Sequence, residues 1–266
     1  MLDGQGADEQ LAGYHSCFSY YLRDLAFRGR WLMLGSTINE RARVHNAPVQ
    51  GQVQRLAASL LPARLADLLR RRRRTLADRN WLDSNALRPY AQQPNAFDLA
   101  GRLLDLPPAT DIATLCLSLT FGSNLPMLLH WEDRNSMAHS IEARVPFVDH
   151  PLVEFSLRLG NEHKIVGADT KRVLRRAMEG ILPKIVQERQ DKLGFATPEE
   201  EWFRGPLKGM IRDGVEATLK RFPELLSANG TRRLAADMLE GRRPVDFALW
   251  RIVNIGLWGE RFAVRL

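Results

Sequence analysis

Met1-Leu2-Asp3-Gly4-Gln5-Gly6-Ala7-Asp8-Glu9-Gln10-Leu11-Ala12-Gly13-Tyr14 opens the chain, and the reading of these residues decides the rest. Gly4 and Gly6 alternate with a polar residue, and two carboxylates follow where an apolar periodicity begins. Leu11, Tyr14, Phe18, Tyr21 and Leu25 are spaced 3, 4, 3 and 4 apart, which predicts one face of a helix. A glycine-bearing loop that enters a helix lets backbone N–H groups approach an anion, and the unpaired amides of the first turn add positive potential. Asp8 and Glu9 would repel a bare phosphate. They make sense as helix caps or as ligands for Mg2+. On spacing alone, a capped helix start accounts for the stretch.

A second block lies far downstream: Leu128-Leu129-His130-Trp131-Glu132-Asp133-Arg134-Asn135-Ser136-Met137-Ala138-His139-Ser140-Ile141-Glu142-Ala143-Arg144-Val145-Pro146-Phe147-Val148-Asp149-His150. Six charged residues within it need partners, a ligand or solvent, because burying an unpaired charge is costly. An internal ion-pair network, with Asp133, Glu142 and Asp149 answering Arg134 and Arg144, satisfies that need; so does a ligand site. Asp149 or His150 can cap the next helix, with Pro151 in its first turn, Leu152, Val153, Phe155 and Leu159 as apolar positions and Gly160 as the stop. A third block, Pro183 to Pro198, places Lys192 two residues before Gly194 in a segment unsuited to regular helix. Such a loop can aim one ammonium at a phosphate, although a loop lysine by itself is ordinarily solvated.

These three blocks together resemble the asparagine synthetase family. Asp3 to Glu9 with Ala12-Gly13-Tyr14 is similar to its S/D-G-E/Q-G-A/S-D-E…G-Y signature. Asp133 to His150 is similar to its D-R-x-S-M-A-x-S-x-E-x-R-V-P-F-L-D-H stretch, with Val148 in place of the commoner leucine. Pro183 to Trp202 resembles the segment in which L-P leads to an arginine and then K-x-G-F-x-x-P-x-x-x-W. The resemblance runs from Asp3 nearly to the C-terminus, where Phe247, Leu249, Trp250, Val253, Leu257 and Trp258 read as an aromatic-rich core helix.

The resemblance implies an ATP pyrophosphatase that adenylates the carboxylate of aspartate, or of a related acid, and transfers ammonia from glutamine to it. Asp8 is then a Mg2+ ligand. The backbone at Asp3, Gly4, Gln5 and Gly6 lines ATP, and Lys192 neutralises the phosphates. Glu9, Asp133, Arg134, Glu142 and Arg144 are further candidates. Gln5 stands where one common form of the family has glutamate; a carboxylate can act as a base toward the attacking ammonium and an amide cannot. Relatives with glutamine here include some that act on other substrates, so another carboxylate acceptor is the alternative.

The family's S-G-G-x-D-S loop occurs nowhere in the 266 residues. The glutaminase domain, whose nucleophilic cysteine follows the initiator methionine, is absent too; position 2 is Leu2. The resemblance therefore implies the C-terminal, helical portion of an α/β synthetase domain of the PP-loop type. The expectation is a mainly α fold with little or no sheet of its own, spanning residues 1–266 as one partial domain. A separate chain carrying the missing half is an expected partner, and apolar surface meant for the sheet is exposed or covered by it. A non-catalytic helical remnant serving as an interaction module is the competing reading.

Composition is consistent with this. The chain is 45% hydrophobic and 26% charged, as in ordinary globular proteins. No apolar run approaches the roughly 20 residues of a membrane span, and the start lacks a secretory signal. The formal net charge of +7 derives largely from Arg70–Arg74, within a leucine-rich helical pattern without interleaved aromatics. A solvated helix face is favoured there over a nucleic-acid contact. Cys17 and Cys116 form no CxxC unit, so a reducing cytoplasm is the expected setting. Turns are predicted at Gly29, Gly35 and Asn46-Ala47-Pro48. Asp111 is predicted to cap a buried helix that Pro126 interrupts, and Asp169 or Thr170 to cap a helix with the stripe Val173, Leu174, Ala177, Met178 and Ile181.

Overall fold

The computed structural model describes residues 1–61, 80–83, 85, 96–190 and 197–264. Lys192, its K-x-G-F segment and Arg70–Arg74 lie outside the described residues. The architecture is mainly α-helical, and the sheet among the described residues is one two-stranded hairpin. The chain divides into two compact units: one takes Met1–Ala66 and Pro94–Lys192, the other Asp67–Gln93 and Leu193–Leu266.

The first unit is built on α1 (Ala7–Gln10), α2 (Cys17–Phe27), α3 (Trp31–Val44), α4 (Val49–Leu60), α5 (Ala96–Leu103), α6 (Ile112–Leu117), α7 (Asn124–Met137) and α8 (His150–Arg158). Its core gathers Phe18, Tyr21, Leu22 and Leu25 of α2 with Leu34 and Ile38 of α3 and Ile112, Leu115 and Cys116 of α6. The opening periodicity correctly names a buried face, since Leu11, Phe18, Tyr21 and Leu25 are all buried. The helix it implied is broken, however. Ala12 takes φ +55°, and α1 is a single turn separated from α2 by residues 11–16. Gly35 lies inside α3 rather than in a turn: an exposed glycine costs a helix only about 1 kcal/mol, and the buried Leu34 and Ile38 hold the helix through it.

Asp111 caps α6 as expected, in a reciprocal capping box with Thr114. The interruption comes earlier than Pro126: a π-helical turn, Ser118–Gly122, ends at Ser123, and Pro126 sits in the first turn of α7, where its missing N–H costs nothing. Taken together, Ile112–Met137 is a 26-residue helical run with an 18-residue window of mean hydropathy 1.5, so the sequence does hold one stretch of spanning length. Ile112, Leu115, Cys116, Leu119 and Leu125 within it are buried in the protein. In α8, Asp149 is the N-cap and only Val153 of the predicted apolar positions is buried.

After α9 (Asn161–Lys164) the chain turns back on itself as β1 (Ile165–Val166) and β2 (Asp169–Thr170), paired antiparallel with Ile165 opposite Thr170. The sequence reading missed this hairpin and began the helix in its place. Three contacts fix it to the core. The Gly167 amide donates to Tyr21 Oη at 3.3 Å, the Ala168 amide donates to Glu40 Oε2 at 3.1 Å, and the Ala168 carbonyl meets the His45 ring nitrogen at 2.9 Å. Lys171, at φ +52°, then serves as the N-cap of α10 (Arg172–Ala177), which precedes α11 (Lys184–Gln187). The stripe predicted for α10 is not buried; Ile181 is 71% exposed. Next to the hairpin, Lys164 is fully buried, and its Nζ makes no hydrogen bond among the described residues. Desolvation lowers its pKa, and the same desolvation raises that of the Cys116 thiol.

The second unit packs α12 (Glu199–Arg204), α13 (Lys208–Arg221), α14 (Ala228–Leu239) and α15 (Phe247–Arg261) around Phe203, Ile211, Val215, Leu234, Met238, Leu249 and Ile252. Asp246 caps α15 through the Ala248 amide. The face of α15 that enters the core is Leu249, Ile252, Val253, Gly256 and Gly259, whereas Phe247, Trp250, Leu257 and Trp258 are 44–66% exposed. The aromatic reading of the core face is therefore corrected. At Gly256 a Cβ would lie 2.0 Å from Thr218 Oγ1, so the absence of side chains lets α13 and α15 approach closely.

Candidate functional site

Residues 1–3 run extended beside the second block. The Asp3 amide donates to the Arg144 carbonyl at 2.9 Å, the Arg144 amide donates to the Met1 carbonyl at 2.8 Å, and Leu2 and Arg144 form a parallel bridge. At the end of this segment Gly6 adopts φ +102°, which permits the turn into α1. The side chains of Phe147 and Val148 press against that turn, and Gln10, itself buried, donates from Nε2 to the Phe147 carbonyl at 2.7 Å. Two stretches separated by more than 120 residues thus form one wall. The loop bearing Asp3, Gly4, Gln5 and Gly6 lies on it, with Gly4 exposed and Asp3 and Gln5 half-buried.

Within α1 the two carboxylates diverge. Glu9 points inward, 1% exposed, and accepts a short hydrogen bond from the Tyr14 hydroxyl. Desolvation, and then the hydrogen bond to Glu9, push the Tyr14 phenol well above its ordinary value, so it remains a donor at neutral pH. Asp8 points outward to the rim, where its Oδ1 lies 2.9 Å from Lys171 Nζ; the two side chains are 29% and 28% exposed. The break between α1 and α2 makes this possible. A Cβ at Gly13 would sit 1.8 Å from Asp8 Oδ1 and 2.5 Å from Lys171 Cε, so the pair occupies space that any other residue would fill. The Lys171 amide in turn donates to the Leu11 carbonyl at 3.2 Å.

Beside the loop, a cavity of about 400 Å3 is lined by Glu132, Asp133, Ser136, Met137, Glu142 and Ala143 among others. Desolvation, followed by the charge and hydrogen bond of Asp3, raises the Glu132 carboxyl above its ordinary value. Three carboxylates at one mouth suit a cationic group rather than a phosphate. Asp133 and Glu142 reach this cavity. Arg144 pairs with Glu142 at 2.8 Å, both about 70% exposed, a surface contact of ~0–1 kcal/mol. Arg134 is exposed on α7. Among the described residues, Asp133, Arg134 and Asp149 form no ion pair, so the network expected of this block reduces to one pair.

A second cavity, about 770 Å3, opens beyond Lys171 and is lined by Asp169, Arg175, Arg176, Glu179, Lys184 and Glu188 among others. Arg175 is fixed there, donating to the carbonyls of Thr170 (3.0 Å) and Gln187 (2.6 Å).

Of the predicted site residues, the structure brings Asp3, Gly4, Gln5, Gly6, Asp8 and Glu9 together with Glu142 and Arg144. Lys192 falls outside the described residues. The residue that sequence reasoning missed is Lys171. Its signal was faint: a lone lysine following Asp169 and Thr170, in a stretch read as the start of a helix. Among the described residues no three His, Cys, Asp or Glu side chains form a metal-binding group. Asp8 therefore offers one carboxylate at a half-open rim. That fits Mg2+, which is commonly held by one or two carboxylates together with substrate phosphates and waters.

The family model for asparagine synthase matches residues 1–260. This chain belongs to the asparagine synthase family. Among its relatives, asparagine synthetase [glutamine-hydrolyzing] 1 of Bacillus subtilis (strain 168) is 36% identical over 126 residues, 47% of this chain and 20% of that protein. A putative asparagine synthetase [glutamine-hydrolyzing] of Mycobacterium bovis is 33% identical over 128 residues, 47% of this chain and 19% of that protein. Asparagine synthetase [glutamine-hydrolyzing] 3 of B. subtilis is 36% identical over 112 residues, 39% of this chain and 18% of that protein. The chain thus spans about a fifth of the length of the asparagine synthetases it matches. No solved structure matches it significantly.

Proposed function

We propose that the chain is the C-terminal portion of the synthetase domain of an ATP-dependent carbon–nitrogen ligase of the asparagine synthetase type, acting in the cytoplasm on small-molecule substrates. In this reaction a carboxylate of aspartate attacks the α-phosphorus of ATP, releasing pyrophosphate and forming β-aspartyl-AMP. Ammonia derived from glutamine then attacks the acyl carbon and AMP leaves. An anion attacks a polyanion in the first step, so charge neutralisation and alignment carry the catalysis. Mg2+ held at Asp8 would supply part of that neutralisation when bound. Lys171 and Lys192 supply ammonium groups for the phosphates. The backbone of Asp3, Gly4 and Gly6 lines the nucleotide. Gln5 hydrogen-bonds to the reacting groups without taking a proton.

The observation that carries this reading is the placement of Asp8 and Lys171, 2.9 Å apart, beside the glycine-bearing loop. One is a hard-cation ligand and the other a phosphate partner, and both are anchored to the same turn. Gln5, in a position where the family commonly has glutamate, favours a second version in which the acceptor is a different carboxylate.

The test is aspartate-dependent exchange of labelled pyrophosphate into ATP. The expectation is no exchange by this chain alone, exchange when it is combined with a segment carrying S-G-G-x-D-S, and loss of that exchange in Asp8→Asn. Robust exchange by the chain alone contradicts its being a portion. Exchange in the combination that is indifferent to Asp8→Asn refutes the site.

A further inference from the structure

We infer that Asp8 and Lys171 form a latch, in which the metal ligand and the phosphate-binding ammonium occupy each other until cation and polyphosphate arrive together. The inference rests on the proposed function, since it takes Asp8 as the cation ligand and Lys171 as the phosphate partner.

Three features make the contact a built one. The side chains are 28–29% exposed, which shelters them from the full screening that weakens surface pairs. Gly13 leaves the space they fill, with a would-be Cβ 1.8 Å from Asp8 Oδ1 and 2.5 Å from Lys171 Cε. Both ends are anchored by backbone. The Gly13 amide donates to the Asp8 carbonyl at 2.9 Å, the Lys171 amide donates to the Leu11 carbonyl at 3.2 Å, and Lys171 is held at φ +52°, a conformation few side-chain-bearing residues adopt.

The consequence is thermodynamic. A divalent cation approaching Asp8 alone must displace an ammonium from the oxygen it needs and then sit beside a like charge. A polyphosphate approaching Lys171 alone must draw it from a carboxylate and then face that carboxylate uncovered. When both arrive, each relieves the other's cost: Lys171 turns to the phosphate and Asp8 to the cation. Binding is therefore cooperative, and by linkage each ligand tightens the other by the same factor. The site discriminates in favour of the metal–polyphosphate complex over either component.

The experiment uses the full chain, with Mn2+ as the spectroscopic cation, measured by electron paramagnetic resonance, and inorganic pyrophosphate as the polyanion. Lys171→Met is expected to bind Mn2+ alone more tightly than the parent by about fivefold, the factor that ~1 kcal/mol of ion pairing represents. It should bind pyrophosphate more weakly and lose the mutual tightening. Lys171→Asn is the second variant, because asparagine tolerates the left-handed backbone at this position; it should behave alike even if the methionine variant folds poorly. Arg176→Gln, which removes a nearby exposed charge outside the pair, should leave Mn2+ binding within about twofold, as expected of a largely screened surface charge.

Weaker or unchanged Mn2+ binding in both Lys171 variants overturns the latch, as does an equal gain in Arg176→Gln. The underlying reading fails separately: if Asp8→Asn leaves Mn2+ binding unchanged, Asp8 is not the cation ligand at all.

Discussion

Replacing Gly13 with alanine tests whether the rim of the site is built as described. The added Cβ would lie 1.8 Å from Asp8 Oδ1 and 2.8 Å from Asp8 Cγ. A contact of at least about 3 Å is needed, so the carboxylate must swing away by more than an ångström and the 2.9 Å pairing with Lys171 opens. The backbone at Gly13 is not left-handed, so alanine itself is unstrained there and the cost is confined to the displaced side chains. Losing a partly sheltered ion pair costs about 1 kcal/mol or less, and forcing Asp8 off its rotamer costs roughly 0.5–1.5 kcal/mol. The expected destabilisation is therefore about 1–2 kcal/mol, read by urea unfolding followed by circular dichroism. The decisive control is the background in which Asp8→Ala and Lys171→Ala have already removed both the pair and the atoms a Cβ would strike: there, most of the Gly13→Ala penalty should vanish. A full penalty in that background, or none in the parent, refutes the argument that Gly13 exists to house Asp8 and Lys171.

Other expectations follow from single contacts. Asp111→Ala removes the capping box at α6 and should cost about 1 kcal/mol in the same unfolding assay. Tyr14→Phe strips the buried Glu9 of its phenolic donor, so a loss of about 1–3 kcal/mol is expected. Lys164→Met should stabilise, because it replaces an unpartnered buried amine with a side chain of similar length and no hydrogen-bonding need. The lysine also leaves a pH signature. Its pKa is lowered in the folded chain, so between that value and the ordinary ~10.4 the unfolded chain binds more protons and stability rises with pH. Lys164→Met should flatten that part of the profile, and a slope that persists assigns the effect elsewhere.

The parts of the site that were legible in the sequence are those where many adjacent residues carry the signal. Asp3 to Glu9 and Asp133 to His150 were recognisable as blocks, and the fold brings them together through Arg144, Phe147 and Gln10. Lys171 was not legible, since its role depends on a left-handed residue after a two-strand hairpin and on a space left by Gly13, over 150 residues away. Helical periodicity identified Leu11, Phe18, Tyr21 and Leu25 as buried without revealing the break at Ala12, because the intervening turn returns both helices to the same core. In α15 the pattern misled: apolar side chains occur on every side, so spacing could not choose a face. The choice lies with Gly256 and Gly259, whose lack of side chains admits Thr218 and Phe222.

Both cysteines of the chain, Cys17 and Cys116, are completely enclosed, and enclosure makes the Cys116 thiol harder to ionise. Thiol-directed dyes and spin labels should therefore pass over the native protein. A single cysteine introduced at an exposed position on the rim would give a unique attachment point, without any need to strip the natural sulfurs first.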